Sequence, residues 1–176
     1  MNQALPPISE LTLAATPNAV AWARRHTVDV LQRWRFPSDG IEVARLVISE
    51  LATNAIRHAQ SAGATEPTDS GSMGLGIIVL GLWPTDDGII LAVSDPDPRP
   101  PTPRPHDASA TEGRGLVLIQ AMADRWGYSP AQIPPGKIVW AEVPACPTGD
   151  LSEPGIGSQQ AAPLVIGRVL TGLREL

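Results

Sequence analysis

Residues 49–59 read SELATNAIRHA, and the placing of this stretch decides the fold. Read as a helix at about 100° per residue, it continues a pattern that starts at Ile41. Ile41, Ala44, Ile48, Leu51 and Ala55 fall on one apolar face, which must pack on something flat such as a sheet. Glu50, Asn54 and Arg57 fall on a neighbouring arc, because residues four apart share a side. An acid, an amide and a cation thus line one edge of the buried face. On its own this is also the look of an ordinary solvated helix edge with a mild Glu-to-Arg contact.

Working outward, the chain supplies a sheet for that helix. Ahead of it, Leu11, Leu13 and Ala15 alternate with Thr12 and Ala14, as in a strand. Asn18 to Trp34 reads as a first helix that stops before Phe36-Pro37. Ser38 or Asp39 is placed to cap the second helix, which runs to about Ala59. Residues 60–73 are small, polar and turn-rich, a loop. The runs 74–83 (GLGIIVLGLW) and 88–95 (GIILAVSD) flank Pro84-Thr85-Asp86-Asp87 and read as an antiparallel hairpin. Residues 96–112 begin PDPRPPTPRP; six prolines in ten residues exclude helix and central strand. A loop of this length in a compact domain is usually a lid or binding loop, or is disordered. Residues 113–124 (GRGLVLIQAMAD) read as a third helix, and 125–132 and 137–143 as two more strands. The order β-α-α-β-β-lid-α-β-β predicts an α+β fold, with helices on one face of a mixed, largely antiparallel sheet. Residues 1–144 form the domain. Residues 145–176 are a Pro/Gly/Ser linker followed by a short amphipathic helical tail.

The totals exclude several classes. A formal charge of -5 and a pI near 5.1 leave no basic face for general nucleic-acid binding. No apolar run reaches the roughly 18 residues that span a bilayer, and the N-terminus lacks the pattern of a signal peptide. The single cysteine, Cys146, allows neither an internal disulfide nor a cysteine zinc site. His26, His58 and His106 show no metal-ligand spacing, and His58 is expected to orient the helix end through a backbone hydrogen bond. The expectation is a cytoplasmic protein.

Three features carry chemistry. The first is the Glu50-Asn54-Arg57 stripe. The second is Asp95, a carboxylate closing an apolar strand, where it serves either as a loop cap or as a ligand contact. The third is Gly113-Arg114-Gly115 at a helix start, where free N–H groups and the helix dipole favour an anion. Each is ordinary alone; their order, with a long loop between the second and third, is far more specific.

Together, SELATNAIRHA, VSDPDPRPP and GRGLVLIQAMADRWG resemble the N, G1 and G2 boxes of the GHKL ATPases, and most closely the anti-sigma-factor serine kinase branch. The resemblance spans residues 9 to 144. It implies the Bergerat two-layer α/β sandwich, with ATP held between the second helix and the lid. Asn54 matches the Mg²⁺-ligating amide, and Glu50 the general base. Asp95 matches the carboxylate that accepts a hydrogen bond from the adenine amino group. Gly113, Gly115 and Leu116 match backbone that wraps the triphosphate, with Arg114 between them, and Arg57 is near enough to help with phosphate charge. Two departures stand out. Asp95-Pro96-Asp97-Pro98 has no glycine after the aspartate. Lys137 stands where many relatives carry a Thr or Ser near the base, so adenine recognition is expected to rest on Asp95 and ordered water.

The resemblance implies an ATP-dependent serine/threonine kinase. It would hold a sigma factor and phosphorylate a STAS-type anti-anti-sigma partner, and it would work as a homodimer. A non-catalytic ATP-sensing module that selects partners is the alternative. A sensor histidine kinase domain is the third reading, disfavoured because no phosphoacceptor helix pair precedes the domain.

Overall fold

In the computed structural model, residues 7–63, 76–101, 115–132 and 135–146 are described. Five strands and three helices follow in the expected order: β1 (Ser9–Ala14), α1 (Ala19–Arg33), α2 (Ser38–Gly63), β2 (Ile77–Pro84), β3 (Gly88–Asp95), α3 (Gly115–Met122), β4 (Arg125–Gln132) and β5 (Pro135–Pro144). The strands form one sheet in the order β1-β2-β3-β5-β4, and each neighbouring pair is antiparallel. This is the expected α+β sandwich, with every described pairing antiparallel. Among the described residues no helix is long and apolar enough to cross a membrane. The tail expected over residues 145–176 lies almost wholly outside the described residues.

The five apolar positions read from α2 are all buried, none more than 8% exposed. They meet inward-facing side chains of the sheet, including Ile78, Leu80, Leu82, Ile89, Leu91 and Val93. Alternation along a pleated strand puts every second residue on the helical side. The intervening Ile90, Ala92, Ile138, Trp140 and Trp83 form a separate apolar cluster on the other face. Strand β3 is therefore almost continuously buried, which explains its run of Ile, Leu and Val.

Element boundaries shift by a few residues from expectation, with α2 running on to Gly63 into the stretch read as a loop, and two of the differences have clear local reasons. Ser38 and Asp39 lie inside α2 rather than capping it, and the carbonyl of Pro37 accepts the first bond, from Ile41 N–H at 3.1 Å. Asp39 in the first turn complements the helix dipole. Helix α1 ends in a Schellman turn: Phe36 N–H donates to Leu31 O at 3.0 Å, and Arg35 N–H to Gln32 O at 3.1 Å. Arg35 takes the left-handed position, at φ 57°, where glycine is usual. Phe36 and Leu31 bury together beneath it, so packing sets the stop that Pro37 alone predicted.

Strand β4 carries Pro130 at the sheet edge, where a missing N–H costs no ladder bond. Strand β5, the last of the described strands, lies between β3 and β4 and is buried from Gly136 through Val143. Its partners place Lys137 directly across from Asp95.

Candidate functional site

A cavity of about 350 Å³ opens between α2, the ends of β3 and β5, the segment after β3 and the start of α3. Asn54 and Arg57 reach its wall from α2, Asp95 from the last position of β3, and Gly115 and Leu116 from the first turn of α3. Five of the residues singled out in the sequence thus converge on one hollow. Glu50 sits beside it, packed on α3. A Cβ added at Gly115 would lie 2.6 Å from Glu50 Oε2 and 3.3 Å from Asn54 Nδ2. The absence of a side chain at position 115 is what lets α3 approach the stripe. Gly113 and Arg114 lie outside the described residues.

Asp95 is held on one oxygen and left open on the other. Its Oδ1 accepts from Lys137 Nζ at 2.9 Å and from Asp97 N–H at 2.9 Å. Its Oδ2 is buried and has no hydrogen-bond partner among the described residues. A buried acceptor left unpaired costs free energy, of order 1–3 kcal/mol, so such an atom calls for a donor. Burial pushes the Asp95 carboxyl up from its ordinary value, while the Lys137 hydrogen bond and charge pull it back down. Gly136 keeps β5 close here; a Cβ at that position would collide with the Asp95 carbonyl oxygen.

The glycine-free segment after Asp95 turns by another device. Asp95 Oδ1 accepts from the N–H of Asp97, and Asp97 Oδ1 accepts from the N–H of Arg99 at 3.0 Å. These are two successive Asx turns, each a side chain bonding the backbone two residues on. Prolines at 96 and 98 stiffen both. Asp97 itself is 2% exposed. Its carboxylate accepts from Arg99 Nη2 at 2.6 Å and pairs with His58 Nδ1 at 3.1 Å. The Arg99 hydrogen bonds hold its carboxyl far below the usual range, against the burial that would raise it. His58 therefore ties α2 to this segment through a side chain, not through the backbone bond expected.

Three participants escaped the sequence reading: Asp97, Arg99 and Lys137 in its actual role. A lysine in the apolar run GKIVWAEV was the available signal for the last. A buried ammonium occupies the first oxygen of Asp95, a contact that the sequence reading did not expect.

The residues fit a nucleotide on three counts: an orphaned acceptor in the cavity, a side-chain-free approach at Gly115, and an amide on the wall. Among the described residues no group of three or more His, Cys, Asp or Glu could hold a metal.

Comparison with known proteins agrees. The family model of the histidine kinase-like ATPase domain matches residues 13–142. The chain belongs to that family, a class of domains that binds ATP. It is similar in fold to the structure of the RsbU and RsbW domains of Rv1364c from Mycobacterium tuberculosis. That likeness has a TM-score of 0.55 at 19% identity, and covers 85% of this chain and 36% of the other. The chain thus spans about a third of the length of that protein. No curated protein matches the chain.

Proposed function

We propose that this domain is an ATP-dependent protein serine/threonine kinase of the anti-sigma type. The observation that carries the reading is the unpaired, buried Oδ2 of Asp95 in a cavity shared with Asn54, Gly115 and Leu116. Asp95 Oδ2 accepts a hydrogen bond from the amino group of adenine. The Asn54 side-chain oxygen would hold a magnesium ion, a hard cation that prefers oxygen donors. Magnesium, when bound, neutralises charge that builds on the phosphates in transfer. Gly113, Arg114, Gly115 and Leu116 offer backbone N–H groups to the phosphates, and Arg57 adds positive charge at the cavity wall.

Glu50 is the general base. It takes the proton of a partner serine hydroxyl as that oxygen bonds to the γ-phosphorus; the bond to the β–γ bridging oxygen breaks and ADP leaves. Positioning and charge neutralisation supply most of the acceleration, with the base adding about 10²–10⁴-fold. The acceptor is a STAS-type anti-anti-sigma protein, and the held client is a sigma factor. The sequence resemblance supports this choice of partners, as does the likeness in fold to a structure that contains an RsbW domain. By the same resemblance the chain acts as a homodimer in the cytoplasm.

The test is ATP labelled at the γ-phosphate, incubated with the domain and candidate STAS partners. Label should appear on a partner serine and fall at least 100-fold with Glu50→Ala, while calorimetry shows ADP binding unchanged. ATP binding with no label on any partner would replace the kinase by a nucleotide-sensing module. In that module nucleotide only selects which partner is held.

A further inference from the structure

Lys137 is buried to 1% exposure at a sheet position where its neighbours in β5 are apolar. An ammonium is brought out of water only with strong compensation. Two of its three N–H donors are accounted for, by Asp95 Oδ1 at 2.9 Å and the Asp97 carbonyl oxygen at 2.9 Å. The third donor has no partner among the described residues. Asp95 carries the matching surplus, an acceptor with no donor. Both side chains line the same cavity. A spare donor and a spare acceptor therefore stand side by side on one wall, cross-strand neighbours fixed by the β3–β5 register.

We infer that Lys137 is a specificity-determining residue that reads the base edge. Its third N–H donates to the ring nitrogen N1 of adenine, while Asp95 Oδ2 accepts from the adjacent amino group. The inference rests on the ATP-binding reading above and deepens it. The donor is charged and fixed by its two other bonds. The pair accepts a purine edge with an amine beside a lone pair. Guanine presents a carbonyl and an N1–H in those positions, so carboxylate would face carbonyl oxygen and ammonium would face N–H.

The experiment compares ADP, GDP and 1-deaza-ADP, in which N1 is replaced by C–H, by calorimetry on the full chain. The wild type should bind 1-deaza-ADP and GDP each at least tenfold more weakly than ADP, the scale of one hydrogen bond from a charged donor. In Lys137→Met, which keeps the stem and removes the donors, ADP and 1-deaza-ADP should bind equally. The ¹⁵N resonance of Lys137 Nζ, read on the wild type, should move with ADP and stay put with 1-deaza-ADP; this arm does not depend on the variant folding. Equal wild-type affinity for ADP and 1-deaza-ADP overturns the inference and leaves the ATP-binding reading intact. A penalty that persists undiminished in Lys137→Met, or an Nζ resonance indifferent to N1, overturns it as well. Absence of ADP binding altogether removes the ATP-binding reading itself.

Discussion

Asp97 accepts hydrogen bonds from the Arg99 backbone and guanidinium and pairs with His58 on α2. These contacts favour its ionised form, so its carboxyl is depressed from an ordinary value near 4. The sign follows by linkage: a depressed acid stabilises the fold above its unfolded value, and the contribution drains away as pH falls below it. Urea denaturation of wild type and Asp97→Asn should therefore differ most near pH 7. The gap should narrow progressively below about pH 4. A gap independent of pH would mean that Asp97 matters as packing and not as charge. Asp95 was legible in the sequence because a lone carboxylate closing an apolar strand is visible locally. The Asp97–His58 pair was not, because it joins residues 39 positions apart through a turn built without glycine. Arg99 read as one more polar residue in a proline-rich loop, with nothing local to single it out.

At the scale of elements, the decisive contact is the start of α3 against the stripe of α2. The helical face of α2 could be read at once, since a period of 3.6 over apolar residues is strong in a long helix. What faces it could not, since no local pattern states how closely a second helix may come. Gly115 sets that approach. Gly115→Ala would drive a methyl to within 2.6 Å of Glu50 Oε2, so the carboxylate must swing aside. The fold should survive, because the atom that gives way is the end of a flexible side chain. On the proposed kinase reading, phosphotransfer to the partner should fall about 100-fold, the cost of misplacing a reacting group by about an ångström. Circular dichroism with the labelled-ATP assay checks both halves. Unchanged transfer would show that Glu50 need not hold this position. The end of α1 teaches a related lesson: Pro37 predicted a stop, but the left-handed Arg35 that makes it is a residue no turn rule would choose.

For the whole molecule, the cavity borrows its walls from α2, α3, β3 and β5. A ligand that bridges them binds only the folded chain and must stabilise all of it. At ADP a hundredfold above its dissociation constant, linkage predicts about 2.7 kcal/mol. For a chain of this length that raises the midpoint of thermal unfolding by roughly 5–10 °C. Scanning calorimetry with and without ADP and magnesium measures it. No rise at saturation would mean that the nucleotide does not hold these walls together. The fold class was legible because element order constrains it strongly. The spatial order of the strands was not, for the alternation within β4 and β5 is silent on which lies inside. That the inner one is β5 has a consequence during synthesis. While the chain emerges from the ribosome, β3 and β4 both wait for a strand encoded after them. Until it arrives, the Asp95 carboxylate lacks its counter-ion and the hollow lacks one of its walls. On the proposed reading, a nascent chain cut short before residue 137 should fail to capture nucleotide, and capture would mark a domain whose translation has passed β5.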